Sequence, residues 1–240
     1  MNHEIVASES GAAGSDVAAA TRFPDLRSAG RELALRLSGY RSRDDVIVLA
    51  IVLGGVLVAD EVATYLGVPL DFVIIRRLLV GDGPDQHECA VSVAGALVVH
   101  EELAAGATAP SSPLDYFIAD ALTGIAERER ICRRNRSALD LSGRTVVLVD
   151  CGIRTGSTMR AAIGALRKKS PAAIVAAVPV SSRAGYATVK SLADEWVCLA
   201  QPDPFPHVAY WYKDFSRPGD ELIGDYLPAH KTDAQDGVND

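Results

Sequence analysis

Apolar positions along this chain follow two rhythms. Val46 to Leu53 (VIVLAIVL) is a continuous apolar, β-branched run that stops at Gly54-Gly55, the pattern of a strand buried on both faces. Before it, Leu26, Ala29, Leu33 and Leu37 recur at helical spacing. After it, Val58, Ala59, Val62, Ala63 and Leu66 do the same, and Gly67 and Pro69 end that helix. Leu70 to Ile75, Thr145 to Asp150, Ala172 to Val180 and Glu195 to Ala200 read as further strands. A helix with Met159, Ala162, Ile163 and Leu166 on one face follows the strand ending at Asp150. Strand, glycine turn, helix, strand is the order of βαβ units. The expected fold class is therefore α/β: a single domain with a five-stranded, mainly parallel sheet flanked by helices.

The interval from Gly81 to Arg144 breaks that rhythm and predicts a flexible loop excursion of the kind that often carries function. Within it, Ala90 to His100 is patterned for short strands and Thr123 to Arg136 for a charged helix. Residues 1–20 and 229–240 are small and polar and read as flexible tails around one domain at 21–228.

The chain has 240 residues, 48% apolar and 23% charged, which excludes a disordered chain, a collagen-like repeat and a disulfide scaffold. A net charge of -7 argues against broad binding to nucleic acid or to an anionic membrane. Cys89, Cys132, Cys151 and Cys198 have no metal-ligand spacing, so reduced thiols and no protein-held metal are expected. The first residues lack a basic region before an apolar one, and no apolar run approaches the ~20 residues of a membrane helix. A cytoplasmic protein is expected.

The chemistry concentrates in VVLVDCGIRTGSTM, Val146 to Met159. A buried strand ends there at the carboxyl edge of the sheet, where ligands bind in open α/β folds. Gly152 and Gly156 permit tight turns, and Thr155, Ser157 and Thr158 offer hydroxyls. The loop runs into a helix, whose first turn presents free N–H groups and a positive dipole end. Together these make an anion cradle sized for a phosphate monoester; a plain βα turn with a hydroxyl cap is the competing reading. No lysine follows Gly156, so this is not the loop of nucleoside triphosphatases.

The full string resembles the phosphoribosyl-pyrophosphate (PRPP) signature of type I phosphoribosyltransferases, through Val146 to Val149, Asp150, Gly152, Thr155, Gly156, Ser157 and Thr158. FPDLRSAGRELALRL, LGGVLVADEVATYLGVPLDFVIIRR and ADEWVCLAQPDPFPHVAYWYKDFS extend the likeness, to a bacterial branch of predicted phosphoribosyltransferases, over roughly Arg22 to Tyr226. The resemblance implies a small hood near the termini, PRPP as donor, a nitrogenous acceptor, release of pyrophosphate, and Mg2+ carried on the pyrophosphate. It implies Asp150 on the ribose hydroxyls, the 5-phosphate against Gly152, Thr155, Gly156, Ser157 and Thr158, and pyrophosphate against the amides of Gly54 and Gly55; Arg154 would bind substrate by reaching pyrophosphate, or else obstruct the site. Arg76 and Arg77, at the end of the second strand, would face pyrophosphate or acceptor, and a homodimer is one candidate assembly. The arginines of Glu127 to Arg136 (ERERICRRNR) would belong to a lid over pyrophosphate, or else to an exposed helix with Glu–Arg pairs.

The sequence departs from the pattern at Cys151, where the family has a second acid, at Leu53, where the branch has arginine, and at Arg154, where it has a small residue. The alternative to an active transferase is therefore a catalytically weak PRPP- or nucleotide-binding regulatory or partner protein. Cys151→Asp with Leu53→Arg is expected to raise turnover if the site is merely weakened. A reactive Cys151 thiol is the lesser alternative. In the C-terminal block, Phe205, Tyr210, Trp211, Tyr212 and Phe215 either pack the last elements onto the sheet or stack on a planar acceptor.

Overall fold

The computed structural model describes residues 22–52, 54–80, 87–92, 97–98, 113–134 and 136–227. Both sequence-read tails, and Leu53, lie outside the described residues. Helix α1 (Leu26–Arg36) opens at Asp25, whose side chain accepts a 2.6 Å hydrogen bond from the Ser28 amide. Strand β1 (Val46–Ile51) leads through Gly54 and Gly55 into α2 (Val56–Leu66), which ends on Gly67 in the left-handed region. Strand β2 is Leu70–Val73.

Strand β3 (Ile75–Val80) leads into the excursion, which supplies β4 (His87–Ser92), β5 (Leu97–Val98) and the long helix α3 (Pro113–Arg133). The core then resumes with β6 (Thr145–Val149), α4 (Ser157–Arg167), β7 (Ala173–Val180), α5 (Arg183–Val189) and β8 (Glu195–Ala200). A short helix α6 (Asp220–Ile223) follows the aromatic block.

The expected parallel sheet is present, in the order β2-β1-β6-β7-β8, with every neighbouring pair parallel. Its alternating side chains fill two cores. Val46, Val48, Ala50, Val147 and Val149 join one, and Ile47, Leu49, Ile51, Val146 and Leu148 join the other. Burial on both faces explains why the strands read as unbroken apolar runs rather than as alternations.

The chain steps outward from β1 to β2, then returns to lay β6 on the other side of β1. That reversal opens a crevice at the carboxyl ends of β1 and β6, the place where open α/β sheets bind ligands.

The excursion departs from one expectation. The run from Leu70 is not one strand ending in Arg76-Arg77. It breaks at Ile74, and Arg76 and Arg77 belong to β3, in a separate antiparallel sheet ordered β3-β4-β5 that packs against α4. The cause is physical: Ile74 is buried in the first core cluster, while the residues beyond it pair with β4 instead of β1.

Candidate functional site

The two glycine turns meet at the crevice. A Cβ on Gly55 would lie 2.5 Å from the Val149 carbonyl, and one on Gly54 would lie 2.4 Å from Cys151 Sγ and 3.0 Å from Asp150 Oδ1. Only glycine lets the turn after β1 press this closely against the end of β6. The Gly55 amide donates to the Ile51 carbonyl at 2.9 Å, so it is already committed inside the turn. Expecting both glycine amides to meet pyrophosphate therefore needs correcting for Gly55.

Asp150 leaves β6 half-buried, and its Oδ1 accepts a 2.7 Å hydrogen bond from the Cys151 amide. Cys151 lies beside the same Gly54, and its thiol is hydrogen-bonded to the Asp150 carboxylate. Its side chain is 6% exposed and belongs to the core cluster with Val147 and Val149. Burial pushes the thiol pKa well up, and the neighbouring Asp150 carboxylate adds to the shift. A thiol held protonated in the core is not the activated nucleophile of the lesser alternative.

Gly152 is packed under the loop rather than displayed on it: a Cβ there would lie 2.8 Å from both Val180 Cγ2 and Val208 Cγ1. Ile153 is buried and bridges to Ser181, with its amide bonded to the Val180 carbonyl at 2.9 Å. Arg154 and Thr155 are exposed. Thr155 Oγ1 lies 3.0 Å from Ser157 Oγ, and Ser157 and Thr158 are half-buried.

Gly156 caps α4 with φ +85°, and a Cβ there would lie 2.8 Å from Thr188 Cβ and 3.0 Å from the Gly185 carbonyl. Helix α4 runs eleven residues, and its first turn has no intrahelical partners for its amides. The first helical bond in this stretch is Arg160 N to the Gly156 carbonyl at 2.8 Å. The fold thus sets Gly54 against Asp150 at the carboxyl edge of the sheet, and carries Thr155, Gly156, Ser157 and Thr158, a few residues further on, at the start of α4 beside α5.

The basic residues are placed differently. Arg76 pairs with Asp120 at 3.4 Å, and its guanidinium lies where a Cβ on Gly124 would be 2.8 Å away. It lies on α3 rather than at the crevice. Arg77 follows in β3, paired with Ala90. The arginines of α3 clamp the fold. Arg133 is buried, donates 2.8 Å to Asp71 and 2.7 Å to Glu129, and stacks over Phe72 at 4.4 Å. Asp71 also accepts from the Phe72 and Leu139 amides at 2.7 and 2.8 Å.

Arg128 pairs with Asp220 at 2.5 Å, Arg134 with Asp225, and Arg136 donates to the Gly224 carbonyl. Only Arg130, bonded to Glu127, fits the exposed Glu–Arg helix. The aromatic block resolves toward packing: Trp211 and Tyr212 are buried, and Tyr210 is exposed with Arg22 over its ring at 4.9 Å.

A reversed parallel sheet with a hydroxyl-rich loop at its carboxyl edge places the chain among α/β proteins built to take a ligand at that edge. Comparison with known proteins narrows this. A model described as "Phosphoribosyl transferase domain" matches residues 21–213, and the chain belongs to that family. Two Mycobacterium tuberculosis proteins, from strains CDC 1551 and H37Rv and both named provisionally as phosphoribosyl transferases, are 35% identical over 219 residues. The match covers 91% of this chain and 49% of each of theirs, so the chain spans about half the length of the curated relatives it matches. The crystal structure of TT1426 from Thermus thermophilus is 34% identical, with a TM-score of 0.73 over 86% of this chain and 100% of that one.

Proposed function

We propose that the chain binds PRPP across the β1–β6 crevice and transfers its phosphoribosyl group to a nitrogenous acceptor. The observation that carries this is the loop at 155–158: hydroxyls and first-turn amides at the crevice, a few residues beyond a half-buried carboxylate. The 5-phosphate would take the amides and the hydroxyls of Thr155, Ser157 and Thr158, with the positive end of α4 behind it. Asp150 would accept from the ribose hydroxyls and favour the positive charge that grows on the sugar ring.

The acceptor nitrogen forms its bond to C1 as the bond from C1 to pyrophosphate breaks, and that electron pair leaves with pyrophosphate. The acceptor's proton passes to solvent. Positioning supplies most of the rate in such a step.

Among the described residues no three His, Cys, Asp or Glu side chains group as a metal site. The donor set at the crevice, one carboxylate and three hydroxyls, fits Mg2+ held chiefly by substrate oxygens and water, with Asp150 as the protein's oxygen. When bound, Mg2+ would neutralise charge on the departing pyrophosphate. No described helix is long and apolar enough to cross a membrane. A cytoplasmic location, a single domain over 21–228 and a homodimer remain parts of this proposal.

A second reading has its own support. Cys151 turned into the core leaves one carboxylate at the strand end, and Arg76 is engaged with Asp120. Both favour a protein that binds PRPP or a nucleotide with little turnover. Pyrophosphate release from PRPP and Mg2+, assayed with purines, pyrimidines and amines, separates the two. The transferase reading expects acceptor-dependent release above hydrolysis in buffer. Tight PRPP binding with no release for any acceptor would overturn it in favour of the second.

A further inference from the structure

We propose that Tyr212 and Ser182 are positioning residues of the phosphate cradle: they hold the Cys151, Ile153 and Arg154 carbonyls on the protein side and so leave the Arg154 and Thr155 amides to the ligand. The inference deepens the phosphate reading above and rests on it.

An anion site built from main chain must satisfy two demands. Its N–H groups must face the anion, and its carbonyl oxygens, which would repel it, must be turned away and bonded elsewhere. In this loop three pins, on the carbonyls of Cys151, Ile153 and Arg154, meet the second demand. The buried Tyr212 hydroxyl donates to the Cys151 carbonyl. The Ser182 amide donates to the Ile153 carbonyl at 2.8 Å. The Ser182 hydroxyl donates to the Arg154 carbonyl, while accepting from the Gly185 amide at 2.8 Å.

A trans peptide is planar, so the carbonyl of one residue and the N–H of the next point in opposite directions. Fixing the Arg154 carbonyl on Ser182 therefore turns the Thr155 amide away from α5. Fixing the Ile153 carbonyl does the same for the Arg154 amide.

Both anchors are themselves rigid. The Tyr212 ring lies between Phe23 and Phe215, with centroids at 5.7 and 5.2 Å. The main chain on either side of it is tied to the segment before α1 through Phe23 N to the Trp211 carbonyl and Lys213 N to the Phe23 carbonyl, both at 2.9 Å. Ser182 caps α5 and sits at the end of β7, a core strand. Neither residue touches the expected position of the ligand, so each acts through the loop.

The test compares Tyr212→Phe, Ser182→Ala and Ser182→Thr with wild type by calorimetry at 25 °C, using ribose 5-phosphate as the probe, with thermal unfolding measured in parallel. Tyr212→Phe removes one oxygen, and Ser182→Thr keeps the hydroxyl. Dissociation constants about tenfold higher are expected for Tyr212→Phe and Ser182→Ala, the loss of one buried hydrogen bond's worth of preorganisation. Ser182→Thr is expected to stay within about twofold of wild type.

A merely structural role would lower Tm and leave affinity below the transition unchanged. That result, in a wild type that binds the probe, overturns this inference alone. A wild type that does not bind ribose 5-phosphate removes the phosphate reading and the inference with it. Unfolding of both hydroxyl-deletion variants at 25 °C also overturns it, because a positioning role requires the fold to survive the loss.

Discussion

Cys151 and Asp150 share a hydrogen bond and a place beside Gly54 but differ in burial, and the two-residue alternation of a strand explains the difference. Val147, Val149 and Cys151 share one face and enter the core, while Asp150 emerges half-buried at the crevice. Continuing that alternation one step past the strand end was the available signal, and the family pattern, which pairs two acids there, obscured it. The expectation that Cys151→Asp with Leu53→Arg would raise turnover is therefore replaced for position 151. Cys151→Asp would press a carboxylate against Gly54 and the apolar core. A loss of about 2–4 kcal/mol in urea unfolding is expected, with no gain in PRPP affinity; unchanged stability would contradict the inward orientation. Asp150→Asn keeps the shape and removes the charge. It is expected to weaken PRPP binding roughly 10- to 100-fold by calorimetry with little change in Tm, and equal affinity would take Asp150 out of the site.

At the scale of elements, the loop proposed to bind phosphate was legible because its parts are consecutive: strand, glycines, hydroxyls, helix. The arginine-rich helix was legible only as a helix. Its partners are distant in the chain; Arg133 and Asp71 are separated by 62 residues and Arg128 and Asp220 by 92. Spacing along a sequence carries no information about such pairs. What reads as a lid is, in α3, a clamp that fastens the helix to β2 on one side and to residues 220–227 on the other. Arg133→Ala would leave Asp71 buried at 4% exposure without its cation. A loss of about 3–5 kcal/mol in urea unfolding is expected. Ribose 5-phosphate affinity, measured below the transition, should stay unchanged; a large affinity loss in a fully folded variant would return Arg133 to the binding machinery. Tyr212 and Ser182 were missed for the same reason as the clamp, since their carbonyl partners lie 61 and 28 residues away.

For the whole molecule, unbroken apolar runs and βαβ order foretold the parallel sheet, and the order β2-β1-β6-β7-β8 puts its topological switch point at the paired strands β1 and β6, the edge where such sheets take ligands. Where the excursion leaves the sheet was not legible, because Ile74 and its neighbours have the same β-branched character on both sides of the break. The fold also sets an acid limit. Asp25 is held below its ordinary pKa of 3.8, chiefly by the Ser28 amide, and Asp45 is lowered to about 2, chiefly by Arg43. At Asp194 burial alone would raise the pKa, but Arg167 and the Ile174 amide outweigh it. Groups with depressed folded pKa values stabilise the fold above their unfolded values and lose that contribution as pH falls through the folded ones. Tm should be flat from about pH 6 to 5 and decline from about pH 4 toward 2; a Tm that rises on acidification through that window would contradict these placements.

If the loop at 155–158 holds a sugar phosphate beside Asp150, a crystal structure with PRPP and Mg2+ will show it. The expected result is 5-phosphate oxygens within about 3.2 Å of the Thr155 to Thr158 amides, with the ribose hydroxyls on Asp150. A 5-phosphate bound elsewhere, or a loop whose carbonyls have turned toward the crevice, would contradict it.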